Sequence, residues 1–168
     1  CEVAAGQLAT AVARFVADGV RGINVTIPLK EEAWALAQRA TSRASVSGAA
    51  NVLSFGADGE IEADNTDGLG MVRDLAHHGV PLAGARVLLL GAGGAARGVV
   101  PALFEAGIGE LVISNRTPEK AALLAERFSP LGKVTLCAPD GTCAEAVDLI
   151  VNSTSAGLTV ATPPPVPV

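Results

Sequence analysis

An α/β fold with parallel strands in its second half is predicted by three observations. Hydrophobic residues make up 49 % of the 168-residue chain, but aromatics only 3 %. The core must then be built of Ala, Val, Leu and Ile, which suit a parallel sheet covered by helices on both faces. Beyond residue 84, short apolar runs alternate with segments of helical periodicity, the pattern of βαβ units. One run, VLLL at 87–90, ends abruptly in a glycine-rich turn, GAGGAA at 91–96.

In the first half, Leu8, Val12, Phe15 and Val16 recur at helical spacing, and Asp18-Gly19 closes that helix. Residues 22–27 read as a strand stopped by Pro28, and residues 31–39 as a helix. Val52–Phe55 and residues 60–63 flank Ala57-Asp58-Gly59, which predicts a hairpin. Residues 67–77 read as a helix with Leu69, Val72 and Leu75 on its apolar face. GVPLAG at 79–84 marks the boundary between a domain of residues 1–80 and one of residues 84–168.

In the second domain the expected strands are 86–90, 111–115, 134–137 and 148–152. The expected helices are 94–106, 118–128 and 142–146. Thr117-Pro118 has the form of an N-cap followed by Pro at the first helical position. Pro101 falls inside a helix and removes a backbone donor, so a local kink is expected. The proline-rich end, 162–168, is expected to be extended.

The formal net charge is −5 with no basic run, which argues against a nucleic-acid partner. No apolar stretch reaches the length of a membrane span, and no signal peptide is visible. Cys1, Cys137 and Cys143 are odd in number and lack ligand spacing, which suits reduced thiols in a cytoplasmic protein. His77 and His78 are adjacent and cannot share a helix face, so no metal site is expected.

The glycine turn carries the chemistry. Gly91 would make the tight turn, and Gly93 would let the backbone approach a pyrophosphate. Ala92, Gly94 and Ala95 continue the loop into a helix whose first amides would face the anion, and Ala96 keeps helix and strand close. The second strand ends in SNRT, 114–117, with no Asp or Glu. An acid there would accept from the ribose 2′-hydroxyl of NAD. Asn115 can hydrogen-bond, Arg116 can pair bidentately with a phosphate, and Thr117 can donate, which reads as an NADP clamp. Taken singly, these residues also fit a solvated arginine and a helix cap.

Six segments occur in order: GINVTIPLK (22–30), GAAN (48–51), DNTDG (64–68), GAGGA (91–95), NRT (115–117) and NSTSAG (152–157). The set resembles the shikimate dehydrogenase family, over roughly residues 5–158. The resemblance implies an N-terminal substrate domain, a C-terminal Rossmann-like domain and an active site in the cleft between them. It implies NADPH-dependent, reversible reduction of 3-dehydroshikimate to shikimate, on the route to chorismate and the aromatic amino acids. By position, Lys30 matches the family's catalytic lysine and Asp67 its partner. Thr26 and Asn51 match residues that hold substrate hydroxyls. Gly91, Ala92, Gly93, Gly94 and Ala95 match the cofactor turn, with Asn115, Arg116, Thr117, Pro118, Glu119 and Lys120 as its second segment. Ser153 and Thr154 would lie near the nicotinamide. A homodimer is the expected assembly.

Reducing a ketone needs hydride on carbon and a proton on oxygen, and a lysine can supply the proton and stabilise developing charge. Without the resemblance, Lys30 reads as a solvated lysine and Asp67 as a helix cap. Asn51 then reads as a turn residue and Thr26 as an ordinary strand residue. The chain lacks counterparts of the family's first βα unit, with its carboxylate-binding serines, and of the last strands and terminal helices. Both domains are therefore expected to be incomplete, with one sheet edge open and low activity for these residues alone. Two other readings are a quinate/shikimate dehydrogenase preferring NAD, and a non-catalytic dinucleotide-binding fragment.

Overall fold

The computed structural model describes residues 1–140, 142–143 and 145–155. Two four-stranded sheets are built in succession. The first contains β1 (Gly22–Asn24), β2 (Arg39–Ala40), β3 (Val52–Phe55) and β4 (Ile61–Asp64), in the order β1-β3-β4-β2. It is antiparallel except where β2 runs parallel to β4. Around it lie α1 (Leu8–Ala17), α2 (Lys30–Leu36) and α3 (Ser42–Ser47). Then α4 (Asp67–His77) leads to the second sheet.

That sheet has the order β7-β6-β5-β8, all parallel, from β5 (Arg86–Leu90), β6 (Glu110–Ser114), β7 (Val134–Leu136) and β8 (Leu149–Asn152). Its helices are α5 (Gly94–Glu105) and α6 (Pro118–Phe128). Val87, Leu88, Leu89, Leu111 and Ile113 are fully buried, because a central parallel strand is covered on both faces. α5 runs through Pro101 as one twelve-residue helix.

Several boundaries differ from the sequence reading. The strand expected at 22–27 stops at Asn24, because the chain turns there: Leu29 N–H donates to the Thr26 carbonyl at 2.9 Å. The helix expected at 31–39 runs Lys30–Leu36, because Ala37 is extended (ψ 142°) and the chain joins the sheet instead. Gln38 N–H donates to the Ile61 carbonyl at 3.0 Å, and Arg39–Ala40 forms β2 on the edge of β4. Pairing with a free edge has overridden helical periodicity. α3 was not expected; Thr41 Oγ1 caps it by accepting from Ala44 N–H at 3.3 Å, and Gly48 ends it at φ +63°. The described residues of the helix expected at 142–146 are not helical. The Asp140 side chain accepts from Thr142 N–H at 2.9 Å in a turn, and Cys143 and Val147 pack on Leu88, Leu90 and Val112. The tail at 162–168 lies outside the described residues.

α4 joins the two halves. Its Met71, Val72 and Leu75 pack on the second core rather than the first. Gly68 permits this contact: a Cβ there would press on the Gly98 carbonyl and stand 2.8 Å from Ala102 Cβ in α5. Gly68→Val is expected to cost about 1–3 kcal/mol through overpacking. A lower urea midpoint at unchanged slope would show it.

At the opposite end of the parallel sheet, buried Glu110 accepts from Thr135 Oγ1 (2.7 Å), Arg86 Nε (3.0 Å) and Lys133 Nζ (3.1 Å). The Thr135 bond, with those of Lys133 and Arg86, outweighs burial and holds the Glu110 carboxyl below its usual value. Asp64 is also held low: burial raises it, but bonds from Arg43, Thr41 and the Asn65 amide win. Groups that protonate less readily when folded stabilise the fold above the ordinary carboxyl range. That stabilisation is lost as pH falls through the lowered folded values. Denaturation midpoints should therefore drop below about pH 4, and Glu110→Gln should flatten that drop. Glu110→Ala is expected to cost about 1–3 kcal/mol, because Arg86 loses its nearest carboxylate but keeps the Ala146 carbonyl at 3.0 Å and Glu145 at 3.6 Å.

Candidate active site

The site is assembled where the first turn of α2, the start of β3 and the first turn of α4 meet. Lys30 is the first residue of α2, held there by buried Leu29 and by a 2.8 Å bond from Ala50 N–H to its carbonyl. Its side chain is only 13 % exposed, and Nζ donates to Asp67 Oδ2 at 2.5 Å. The other oxygen, Asp67 Oδ1, accepts from Asn51 Nδ2 at 2.8 Å. Asn51 Oδ1 in turn accepts from Thr66 N–H at 2.9 Å, while Nδ2 lies 3.0 Å from Thr66 Oγ1.

The DNTD segment is fixed from both sides. Arg43 grips Asp64 through Nη2 (2.6 Å) and Nε (3.2 Å), and Thr41 Oγ1 donates to it at 2.6 Å. Buried Asn65 donates to the Ala49 carbonyl at 2.9 Å and accepts from Asp67 N–H at 3.2 Å. Lys30 is thus not a solvated lysine. Asp67 is not the helix cap either: Thr66 holds that position, and its hydroxyl is engaged with Asn51. Asn51 is a cross-brace rather than a turn residue. Thr26 lies just beyond β1, exposed, and makes no side-chain hydrogen bond among the described residues. It lies in the turn that leads to Lys30 but outside the Asn51–Asp67 network.

The glycine turn meets this pair directly. Gly91 adopts φ +104°, and a Cβ on it would stand 2.8 Å from Ser153 Oγ. Gly93, exposed with open space before its Cα, has no side chain to cap α5, so the first amides of that helix are left for a ligand. Ala92, Gly94 and Ala95 are half-buried and Ala96 is buried. A Cβ on Gly94 would lie 3.0 Å from Lys30 Cβ. The glycine turn therefore abuts the lysine of the other half.

At the end of β6, Asn115 Nδ2 donates to the Thr117 carbonyl at 2.8 Å, which shapes the loop. Arg116, Thr117, Pro118, Glu119 and Lys120 are exposed, and Arg116 forms no ion pair among the described residues. Pro118 opens α6 as expected, but the Thr117 hydroxyl makes no cap bond and stays available. Ser153 Oγ donates to the Leu90 carbonyl at 2.7 Å, and Thr154 Oγ1 lies 2.8 Å from Asn152 Oδ1. Ser153 thus braces the turn from beneath. The sequence reading missed Arg43, Asp64, Asn65 and Thr66 as supports, although three of them stand inside the DNTD motif it singled out.

Fold and site together define an α/β protein in which a dinucleotide-type turn faces a lysine–carboxylate pair. Comparison with known proteins supplies the family. Residues 74–165 match the family described as Shikimate / quinate 5-dehydrogenase, and residues 1–53 match the shikimate dehydrogenase substrate binding domain. The chain belongs to the shikimate dehydrogenase family. It is 52 % identical over 153 residues to the shikimate dehydrogenase (NADP(+)) of Vibrio atlanticus (strain LGP32), covering 91 % of this chain and 55 % of that protein. It is 51 % identical over 158 residues to the Xanthomonas campestris pv. campestris (strain B100) protein of the same name, covering 93 % and 56 %. The shikimate 5-dehydrogenase of Thermus thermophilus, solved in complex with NADP(H) and shikimate, superposes with a TM-score of 0.78 at 35 % identity, covering 93 % of this chain and 56 % of that one. The chain spans little more than half the length of these relatives.

Proposed function

We propose that the chain carries the reaction centre of an NADP-dependent shikimate dehydrogenase. Such an enzyme reversibly reduces 3-dehydroshikimate to shikimate in chorismate and aromatic amino acid biosynthesis. The observation that carries this reading is the Lys30–Asp67 pair standing against the dinucleotide turn. When bound, the nicotinamide supplies the hydride.

Lys30 supplies the proton. One of its N–H groups is held by Asp67, which leaves the others for a ketone oxygen. As negative charge develops on that oxygen, the ammonium stabilises it and hands over a proton; in the reverse direction the amine takes one up. Asp67, pinned by Asn51, keeps the ammonium aimed. Thr26, with its uncommitted hydroxyl, and Asn51 are the proposed partners of the substrate hydroxyls. Asn115, Arg116 and Thr117 would hold the 2′-phosphate, with Pro118, Glu119 and Lys120 beside it. Gly91, Ala92, Gly93, Gly94 and Ala95 would cradle the pyrophosphate, and Ser153 and Thr154 would border the nicotinamide.

In this reading residues 1–80 form the substrate domain and 84–168 the dinucleotide domain. Cytoplasmic placement is the reading that suits an odd number of cysteines, none of them in a disulfide among the described residues. A homodimer is the expected assembly, checked by analytical ultracentrifugation.

The test is oxidation of shikimate with NADP, followed by the absorbance of the reduced cofactor, with NAD and quinate in parallel. NADP with shikimate is expected to be the fastest pairing. Equal or faster turnover with NAD or quinate would overturn the assigned specificity. Folded protein that neither turns over shikimate nor binds NADP would overturn the whole reading.

A further inference from the structure

Three consecutive residues open α2, and each ties that helix to a different element. Lys30 reaches Asp67 at the start of α4. Glu32 accepts from the Gly6 amide (2.9 Å) and the Leu8 amide (3.0 Å) at the start of α1. Between them, Glu31 pairs with Arg97 Nη2 of α5 at 3.3 Å. A helix of seven residues does not hold itself in water, so these tethers and buried Ala33 set its place. Arg97 stands one helical turn beyond Gly94, the residue that touches Lys30. Its Nε is buried without a partner among the described residues, so Glu31 is the guanidinium's counter-charge.

A second guanidinium closes the cluster. Arg127 of α6 donates to the Val46 carbonyl (3.0 and 3.2 Å) and the Ser45 carbonyl (3.4 Å) at the end of α3. Burial and the charge of Arg97 push Arg127 down, and Glu31 opposes them. Glu31 therefore pairs with Arg97, and its charge reaches Arg127 only at longer range.

We propose that Glu31 and Arg97 are positioning residues, whose ion pair holds the first turn of α2 on α5 and so keeps Lys30 at the dinucleotide turn. The contact itself is independent of the reaction; its value to proton transfer rests on the function proposed above. The Glu31 side chain is 52 % exposed and that of Arg97 26 %. Such a pair is individually weak, so its loss should loosen Lys30 about two- to fivefold rather than unfold the chain.

The chain has three lysines, Lys30, Lys120 and Lys133, which makes the test direct. Pulse acetylation of the whole chain with acetic anhydride, read by peptide mass spectrometry, gives the Lys30 rate relative to the other two. Glu31→Gln should raise that ratio most, because it leaves the Arg97 guanidinium, whose Nε is buried, without its counter-charge. Adding Arg97→Met to it should lower the ratio again, to that of Arg97→Met alone. Arg97→Lys, which keeps the charge, should stay near the wild-type ratio. NADP affinity by calorimetry should be the same in all four.

An unchanged Lys30 ratio in Glu31→Gln and Arg97→Met would overturn the proposal, as would simple additivity in the double variant. So would a loss of NADP affinity in Arg97→Met without change at Lys30, which would make Arg97 a cofactor ligand. Wild-type chain that fails to bind NADP would instead count against the proposed function, and the Lys30 ratios would still decide the positioning role.

Discussion

Lys30→Ala is expected to lower shikimate oxidation by about 10²–10⁴-fold, the range for loss of a positioned proton-transfer group, while NADP affinity is unchanged. The geometry dictates that split. Lys30 Nζ is bound to Asp67, whereas the Asn115–Lys120 segment follows the end of β6. Removing the side chain deletes the proposed proton donor and the charge proposed to answer the developing alkoxide. Asp67 keeps its bond from Asn51, so the segment around it should hold its shape. Asp67→Asn should lower turnover too, by releasing the ammonium it aims. Progress curves at high enzyme concentration, paired with calorimetric titration of NADP, measure both effects. A Lys30→Ala chain with wild-type turnover would remove the lysine from the mechanism.

Gly91→Ala is expected to cost about 1–3 kcal/mol of stability, the usual strain of a side chain held at positive φ, and to weaken NADP binding about tenfold or more. Gly91 sits at φ +104°, where an L side chain is strained. Its new Cβ would also stand 2.8 Å from Ser153 Oγ and 3.2 Å from Thr154 Cγ2. Ser153 cannot simply withdraw, because its hydroxyl and its amide both donate to the Leu90 carbonyl, at 2.7 and 2.9 Å. The turn itself must shift, and with it the amides that would meet the pyrophosphate. Thermal melts and NADP titrations of the variant report the two consequences separately. An unchanged NADP affinity would mean that the turn is not the cofactor cradle.

The parallel sheet was legible because burial on both faces writes a continuous apolar run, as in Val87–Leu90 and Leu111–Ile113. α4 and α6 were legible for the opposite reason: a one-sided apolar stripe, and a Thr-Pro start at α6. The first half resisted because its short elements are decided by their partners. Arg39–Ala40 is a strand only because β4 offers an edge. α3, SRASVS, carries no apolar period, although its cap residue Thr41 and its closing Gly48 were visible in the sequence.

In the site, chemistry-bearing residue types could be read but not their meeting. Lys30 and Asp67 stand 37 positions apart, and only the family resemblance joined them before the structure did. Asn65 was passed over because an amide that is buried and fully used looks, in sequence, like any turn asparagine. The Glu31–Arg97 contact left no trace, since an ion pair between distant helices has no spacing rule.

The proposed dinucleotide site faces Lys30, and its second segment is proposed to select a 2′-phosphate. The most direct measurement is calorimetric titration of the chain with NADP and, separately, with NAD. A charge-assisted contact such as Arg116 to phosphate contributes about 1.5–3 kcal/mol, so NADP should bind about tenfold or more tighter. Arg116→Ala should erase most of that difference. Equal affinities, tighter NAD, or no binding of either by folded protein would contradict a site that selects NADP.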